Sequence, residues 1–169
     1  MSAVTGKAWI FGDEINSDLL APGLYMKSSN EIMAAHCLEA VDPTFAKSVQ
    51  EGDIIVGGHN FGIGSAREQA ALSLRILKVG AVLAESFARI WYRNALNFGV
   101  PCLFFPQYKE IKAGDRLSVD AVAGKIRNLT SGKEYTVDPI PAHLMQMIVD
   151  GGLMPHLKKK FAKNNGAAA

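Results

Sequence analysis

Cysteine is scarce in this sequence, and the little there is carries no pattern. Cys37 and Cys102 lie far apart with no C-x-x-C spacing, which argues against a zinc site and a disulfide framework and leaves two buried thiols as the expectation. Long apolar runs are also missing. No stretch approaches the roughly 20 residues that cross a bilayer, and the opening MSAVTGKAWIFGDE has no apolar signal core. No membrane partner is expected, and a reducing, cytoplasmic setting is. Nor is there an excess of one charge: Lys and Arg number 18 against 16 Asp and Glu, a formal net charge of +2. The cations are scattered except for Lys158, Lys159 and Lys160, a run that reads as a solvated helix end, so no nucleic-acid partner is indicated.

What is present is an ordinary globular balance. At 169 residues, 49% hydrophobic and 20% charged, the chain suits one folded core. With no internal repeat and no dividing linker, residues 1–163 form the expected single domain, and 164–169 a tail of polar and small residues that fray. The middle third alternates apolar strands with helices. KAWIF (7–11) and DIIV (53–56) read as strands, and a helix is expected over 31–38. A further helix begins at Ser65, with Leu72, Ile76 and Val79 at helical spacing and Gly80 as its terminating glycine. AVLAE (81–85), a helix over 86–98 stopped by Gly99, and VPCLFFP follow. That alternation predicts parallel pairing. Beyond residue 110 the pattern becomes short strands, RLSVD, KIRNL and EYTV, separated by turns, then a helix opened by Pro141 and ended by a glycine pair. The fold class is α/β, with a C-terminal antiparallel segment.

The densest chemistry lies in GHNFGIGSAREQA, after the 53–56 strand. As a dinucleotide fingerprint it has the strand before it, the helix after it and Glu85 about 20 residues on, but Arg67 replaces the third glycine, and no Gly-Lys-Ser/Thr makes it a P-loop. As a capping box, Ser65 and Glu68 match S-x-x-E. That reading leaves Arg67 as a cation in a first helical turn, against the dipole, where a bound anion would compensate it. A carboxylate ligand would take a two-pronged grip from Arg67 and hydrogen bonds from the helix-start amides, with the Ser65 hydroxyl alongside.

Three motifs in order carry a resemblance. GDEINSDLLAPG resembles the G-D-x-x-x-T-D-x-I-x-P-G opening of the aconitase superfamily's swivelling domain, HNFGIGSAREQA its N-F/Y-G-x-G-S-S-R-E-H-A signature, and SFARIWYRNALNFGVP its S-F-A-R-I-F-x-R-N segment. The resemblance spans most of residues 5–160 and implies a swivelling β/β/α domain: a mixed sheet with flanking helices. The short chain is similar to the type in which that domain is a separate small subunit, as in 3-isopropylmalate dehydratase and homoaconitase. It implies a hydro-lyase that dehydrates and rehydrates a small-molecule 2-hydroxy dicarboxylate, 2-isopropylmalate being favoured and homoaconitate or a methyl-substituted malate the alternatives. A nucleotide-binding domain and a non-catalytic paralogue are the readings from other classes.

The same resemblance implies a large-subunit partner carrying a [4Fe–4S] cluster, with no cofactor or metal on this chain. It makes Ser65 the catalytic base, Arg67 a substrate-carboxylate ligand and Asp18 an acid at the site's edge. Tyr25, Met26 and Lys27 occupy a short specificity loop, Lys27 facing the group that distinguishes substrates. Two positions depart from the signature: Ala66 replaces its second serine and keeps only a backbone N–H for the substrate, and Gln69 replaces its histidine. The dispersed His36, His59, His143 and His156 show no ligand spacing, and Arg89 and Arg93 read as surface or interface cations.

Overall fold

Successive residues of a strand face opposite sides of a sheet, and here both sides are apolar. Ile55, Val82 and Cys102 belong to one buried cluster, while Ile54, Val56, Ala81, Leu83 and Leu103 belong to another. These residues come from the parallel strands β2 (Ile54–Val56), β3 (Ala81–Ala84) and β4 (Cys102–Phe104), which with β1 (Val4–Ile10) form half of a seven-stranded sheet. The other half is antiparallel: β5 (Arg116–Asp120), β6 (Lys125–Asn128) and β7 (Glu134–Thr136), giving the order β4-β3-β2-β1-β5-β6-β7. This computed structural model describes residues 3–166, with side chains described through Lys163. Residues 167–169, part of the stretch expected to fray, lie outside the described residues.

β1 is the hinge of the design. Its first half, Val4–Lys7, pairs antiparallel with β5, and its second half, Ala8–Ile10, pairs parallel with β2. Helices α1 (Ser17–Leu20), α2 (Asn30–Ala35) and α3 (Phe45–Ser48) lie between β1 and β2; α4 (Gln69–Ile76) and α5 (Arg89–Asn97) make the next two crossovers. Leu20, Met33, Phe45, Leu74 and Trp91 from these five helices pack in the first cluster. After β7, α6 (Ala142–Val149) places Met145, Met147 and Ile148 in the second, and α7 (Leu153–Gly166) follows. The predicted mixed sheet with flanking helices and an antiparallel C-terminal segment is the fold observed. No helix among the described residues is long and apolar enough to cross a membrane.

The helix expected from Ser65 is the place where sequence reading failed locally. α4 starts at Gln69, and Glu68 is its N-cap, in helical conformation (φ −60°, ψ −34°) with no side-chain cap bond. Ser65 and Glu68 therefore form no capping box, because the Ser65 hydroxyl is engaged elsewhere. The buried face of α4 is Ala70, Ala71, Ser73 and Leu74, while Leu72 and Ile76 are only half-buried. At the other end the left-handed position falls on Lys78 (φ 57°), not on Gly80. Gly80 is required for a different reason. A Cβ there would collide with Val4 and lie 2.5 Å from the Gly52 carbonyl oxygen, so the entry to β3 packs directly on the backbone before β2.

Gly80→Ala is accordingly expected to destabilise the fold by about 1–3 kcal/mol, the usual effect of overpacking against backbone that cannot yield. Urea unfolding monitored by Trp9 and Trp91 fluorescence checks it.

Candidate active site

The parallel strands end together, and the chain that leaves three of them is woven into one surface. Beyond β1 and β2, Phe11 N–H donates to the Val56 carbonyl (2.9 Å), Gly58 N–H to Gly12 (2.7 Å) and Glu14 N–H to His59 (2.7 Å). Gly62 N–H donates to Ile15 (2.6 Å), and Ser17 N–H to Ile63 (2.8 Å). Beyond β3, Phe61 N–H donates to Ser86 (3.0 Å) and Ala88 N–H to Phe61 (2.9 Å). Residue pairs Asn16–Ile63 and Phe61–Phe87 thereby continue the parallel ladder past the strands. The glycine-rich segment is a middle strand-like strip between two others, which is not the tight strand-to-helix turn of a dinucleotide fingerprint. Its glycines answer to that packing: Gly62 (φ 86°) lies against the Trp91 ring, and a Cβ on Gly64 (φ 116°) would sit 2.8 Å from Ser17 Oγ.

Ser65, Ala66 and Arg67 emerge from this strip just before α4. Ser65 and Ala66 are exposed and Arg67 is half-buried. Ser65 N–H donates to Ser17 Oγ (2.9 Å), and the two hydroxyl oxygens are 3.2 Å apart. Among the described residues the next four N–H groups, of Ala66, Arg67, Glu68 and Gln69, meet no acceptor, so a patch of free donors faces outward at the start of α4. Arg67 Nη1 donates to Asp18 Oδ1 and to the Ala21 carbonyl (3.3 Å). The cation that lacked a counter-charge in the sequence finds one in Asp18 at the start of α1, in front of α4 and not inside its first turn.

Of the residues expected in the site, Ser65, Ala66, Arg67 and Asp18 are thus brought together. Lys27 is exposed and has no polar partner among the described residues. It follows the short 3₁₀ turn Gly23–Tyr25, whose first residue abuts Arg67: a Cβ on Gly23 would lie 4.0 Å from Nη1. Tyr25 is stacked on His36 (3.8 Å between rings, 11°), and His36 Nδ1 lies 2.5 Å from Glu39 Oε2, fastening that turn to the chain after α2. Leu24 and Met26 are exposed beside Lys27.

Sequence reasoning missed two members. Ser17, 2% exposed, lies under Ser65; its signal is a hydroxyl residue one position before Asp18 in the first motif. Tyr108 carried none, since it arrives from beyond β4. Its hydroxyl donates to Asp13 Oδ1 (2.9 Å), which also accepts the His59 N–H (2.8 Å). Those two hydrogen bonds, the backbone one foremost, hold the Asp13 carboxyl below its usual range. His59 is tied into the strip through Ser86: its Nδ1 lies 3.0 Å from Ser86 Oγ, which accepts the Asn60 N–H (2.9 Å). Among the described residues no group of three or more His, Cys, Asp or Glu side chains is placed to hold a metal ion. Cys37 and Cys102 are buried free thiols, pushed well above the ordinary thiol range by burial.

Comparison with known proteins agrees with this arrangement. The aconitase C-terminal domain family matches residues 15–108, which contain the glycine-rich segment and the chain leaving β3. The chain belongs to that family. It is similar to the 3-isopropylmalate dehydratase small subunit 1 of Thermotoga maritima, 46% identical over 92% of this chain and 95% of that protein. It is also similar to the methanogen homoaconitase small subunit of Methanothermobacter thermautotrophicus, 44% identical over 92% of this chain and 91% of that one. Among solved structures, 3-isopropylmalate dehydratase (leuD) of Methanocaldococcus jannaschii superposes with a TM-score of 0.92 at 36% identity, covering 98% of this chain and 99% of that one. The solved structure thus shares the fold over nearly the entire length, while the family match covers residues 15–108.

In this aconitase-type domain Asp13 joins the loops after β1, β2 and β4, and its titration reports on their union. A carboxylate with a depressed pKa stabilises the fold fully above its unfolded value, near 3.8, and that stability is lost as pH falls through the lower folded value. Tyr108→Phe removes one of the two bonds, so the Asp13 carboxyl, followed by NMR, should titrate at higher pH in the variant than in the wild type.

Proposed function

We propose that the chain is the small subunit of a two-subunit hydro-lyase that isomerises 2-isopropylmalate to 3-isopropylmalate by dehydration and rehydration, in leucine biosynthesis. The observation that carries this reading is the display of Ser65 and Arg67, side by side and accessible, on the strip above the parallel strand ends. The relatives named as 3-isopropylmalate dehydratase small subunits support the assignment of substrate class.

Dehydration requires removal of a proton from the carbon next to the one bearing the hydroxyl. Ser65 is the base. A serine hydroxyl is poorly suited to that task in water, but an alkoxide at this position is met by the free N–H groups that open α4 and by the Arg67 charge, and both favour the anionic form. Arg67 binds a substrate carboxylate through the donors that Asp18 and Ala21 leave free. Being an anion, Asp18 acts by holding Nη1 so that the rest of the guanidinium is presented outward. Ala66 contributes its backbone N–H.

The large subunit is the partner that completes the site, and the [4Fe–4S] cluster assigned to it supplies a Lewis acid for the substrate hydroxyl. Cys37 and Cys102, both buried, are unsuited to hold that cluster here. As free thiols they are at home in the reducing cytoplasm. Homoaconitate is the second reading, favoured by one observation: Lys27 is an exposed cation just beyond the turn that abuts Arg67, where a third carboxylate would find it.

In the complex with the large subunit, Ser65→Ala should lower kcat roughly 10³-fold or more with little change in KM, since proton removal is a transition-state role. Arg67→Lys should mainly raise KM, because an ammonium cannot reproduce a planar two-pronged grip. A variant at Ser65 with a tenth of wild-type turnover, or an unchanged KM at Arg67, would remove the corresponding role.

Substrate choice is read at Lys27. An isopropyl group packs on Met26 and Leu24, worth about 1.5–3 kcal/mol when fully buried, while the Lys27 stem covers it and its ammonium stays in water. Lys27→Met should then preserve or improve turnover of isopropylmalate. Loss of activity on that substitution, or a wild-type preference for a tricarboxylate, would transfer the assignment to homoaconitate.

A further inference from the structure

Ser17 is a buried hydroxyl with an unusual pair of neighbours. Its side chain is 2% exposed, its own N–H is used by the Ile63 carbonyl (2.8 Å), and its Oγ accepts the Ser65 N–H at 2.9 Å. The remaining polar neighbour within hydrogen-bond distance of that Oγ is Ser65 Oγ at 3.2 Å. A hydroxyl carries one hydrogen. With one of its two lone pairs accepting the Ser65 amide, the Ser17 hydroxyl keeps its hydrogen free to be donated to Ser65 Oγ.

We propose that Ser17 is a positioning residue for the base: it fixes the Ser65 backbone through the amide and donates its O–H to Ser65 Oγ when that oxygen is an alkoxide. This rests on Ser65 acting as the base. The bond is strongest in the charged state, because a hydrogen bond to an ionised acceptor is shorter and roughly twice as strong as a neutral one. Once Ser65 has taken the substrate proton, the pair is two neutral hydroxyls that keep one hydrogen bond in either direction. The exposed side of Ser65 stays open to the substrate throughout, since Ser17 approaches from below. Gly64 makes this possible, as a Cβ there would lie 2.8 Å from Ser17 Oγ.

The test uses the chain assembled with its large subunit. Ser17→Ala should lower kcat roughly 10- to 100-fold with KM nearly unchanged, and the acid limb of the kcat–pH profile should move to higher pH by about one unit, because loss of the donor makes the Ser65 alkoxide harder to form. Ser17→Thr, which keeps the hydroxyl, should restore kcat to within about threefold and return the limb to its wild-type position. If Ser17→Ala does not assemble, Ser17→Cys, a weak donor, should assemble and show an intermediate shift of the limb. An assembled Ser17→Ala or Ser17→Cys complex with an unmoved pH profile overturns the proposal, whatever its kcat, and so does a Ser17→Thr complex whose limb stays where Ser17→Ala puts it. Ser65→Ala is measured alongside. Activity retained there removes the base itself, whereas an inactive Ser65→Ala beside an unaltered Ser17→Ala removes only the role given to Ser17.

Discussion

Everything in the site depends on main-chain hydrogen bonding that continues after the strands have ended. Three segments leaving β1, β2 and β3 stay in register with one another through the Asn16–Ile63 and Phe61–Phe87 pairings. Each such bond contributes only about 1 kcal/mol net, but a run of them leaves the glycine-rich strip no independent motion. The requirement is steric as well as polar. Gly58 faces Asp13 and Tyr108, Gly62 faces Trp91 of α5 and Gly64 faces Ser17, so a side chain at Gly58 or Gly64 would push the strips apart and one at Gly62 would press on α5.

That constraint bears on the side chains just beyond the strip, Ser65 and Arg67, which are held in place by the first motif. Ser65 is exposed and Arg67 half-buried, and each is anchored by α1 or the residue after it: Ser65 from beneath by the buried Ser17, and Arg67 by the exposed Asp18 and the Ala21 carbonyl. The four-residue helix α1 is itself pinned by its Asn16 cap, which accepts the Leu19 N–H at 2.9 Å. The first motif therefore serves largely as a foundation for the second, its Asp18 carboxylate pairing with the Arg67 guanidinium.

Charge is distributed to the same end. Asp13 and Asp18 are both satisfied within the chain, Asp13 by an amide and a phenol and Asp18 by a guanidinium. Neither is left as a free anion to repel a dicarboxylate. Among the described residues, the donors left unpaired there are the amides opening α4, part of Arg67 and, a short turn away, Lys27, with the exposed Glu68 carboxylate beside them. A surface with that excess of donors suits an anionic ligand.

The sequence by itself determined the class of fold and the family to which the chain belongs. Apolar runs marked β1 to β4, helical patterns marked α2, α4 and α5 but not the short α1 and α3, the composition change near residue 110 marked the antiparallel half, and Ser65, Arg67 and Asp18 stood out in motifs. Tertiary structure decided what local patterns misassigned. S-x-x-E resembles a cap because capping is a local signal, but Ser65 is held by a residue 48 positions away. Gly80 resembles a helix stop, yet it is a glycine because the backbone at Gly52 approaches it. Tyr108 was invisible beside Asp13, and Ser17 was signalled only as a hydroxyl in the first motif, for the same reason: both are placed by contacts across the sheet's upper edge. Periodicity and capping encode neighbours a few residues apart, whereas the site is built from side chains that only the sheet brings together.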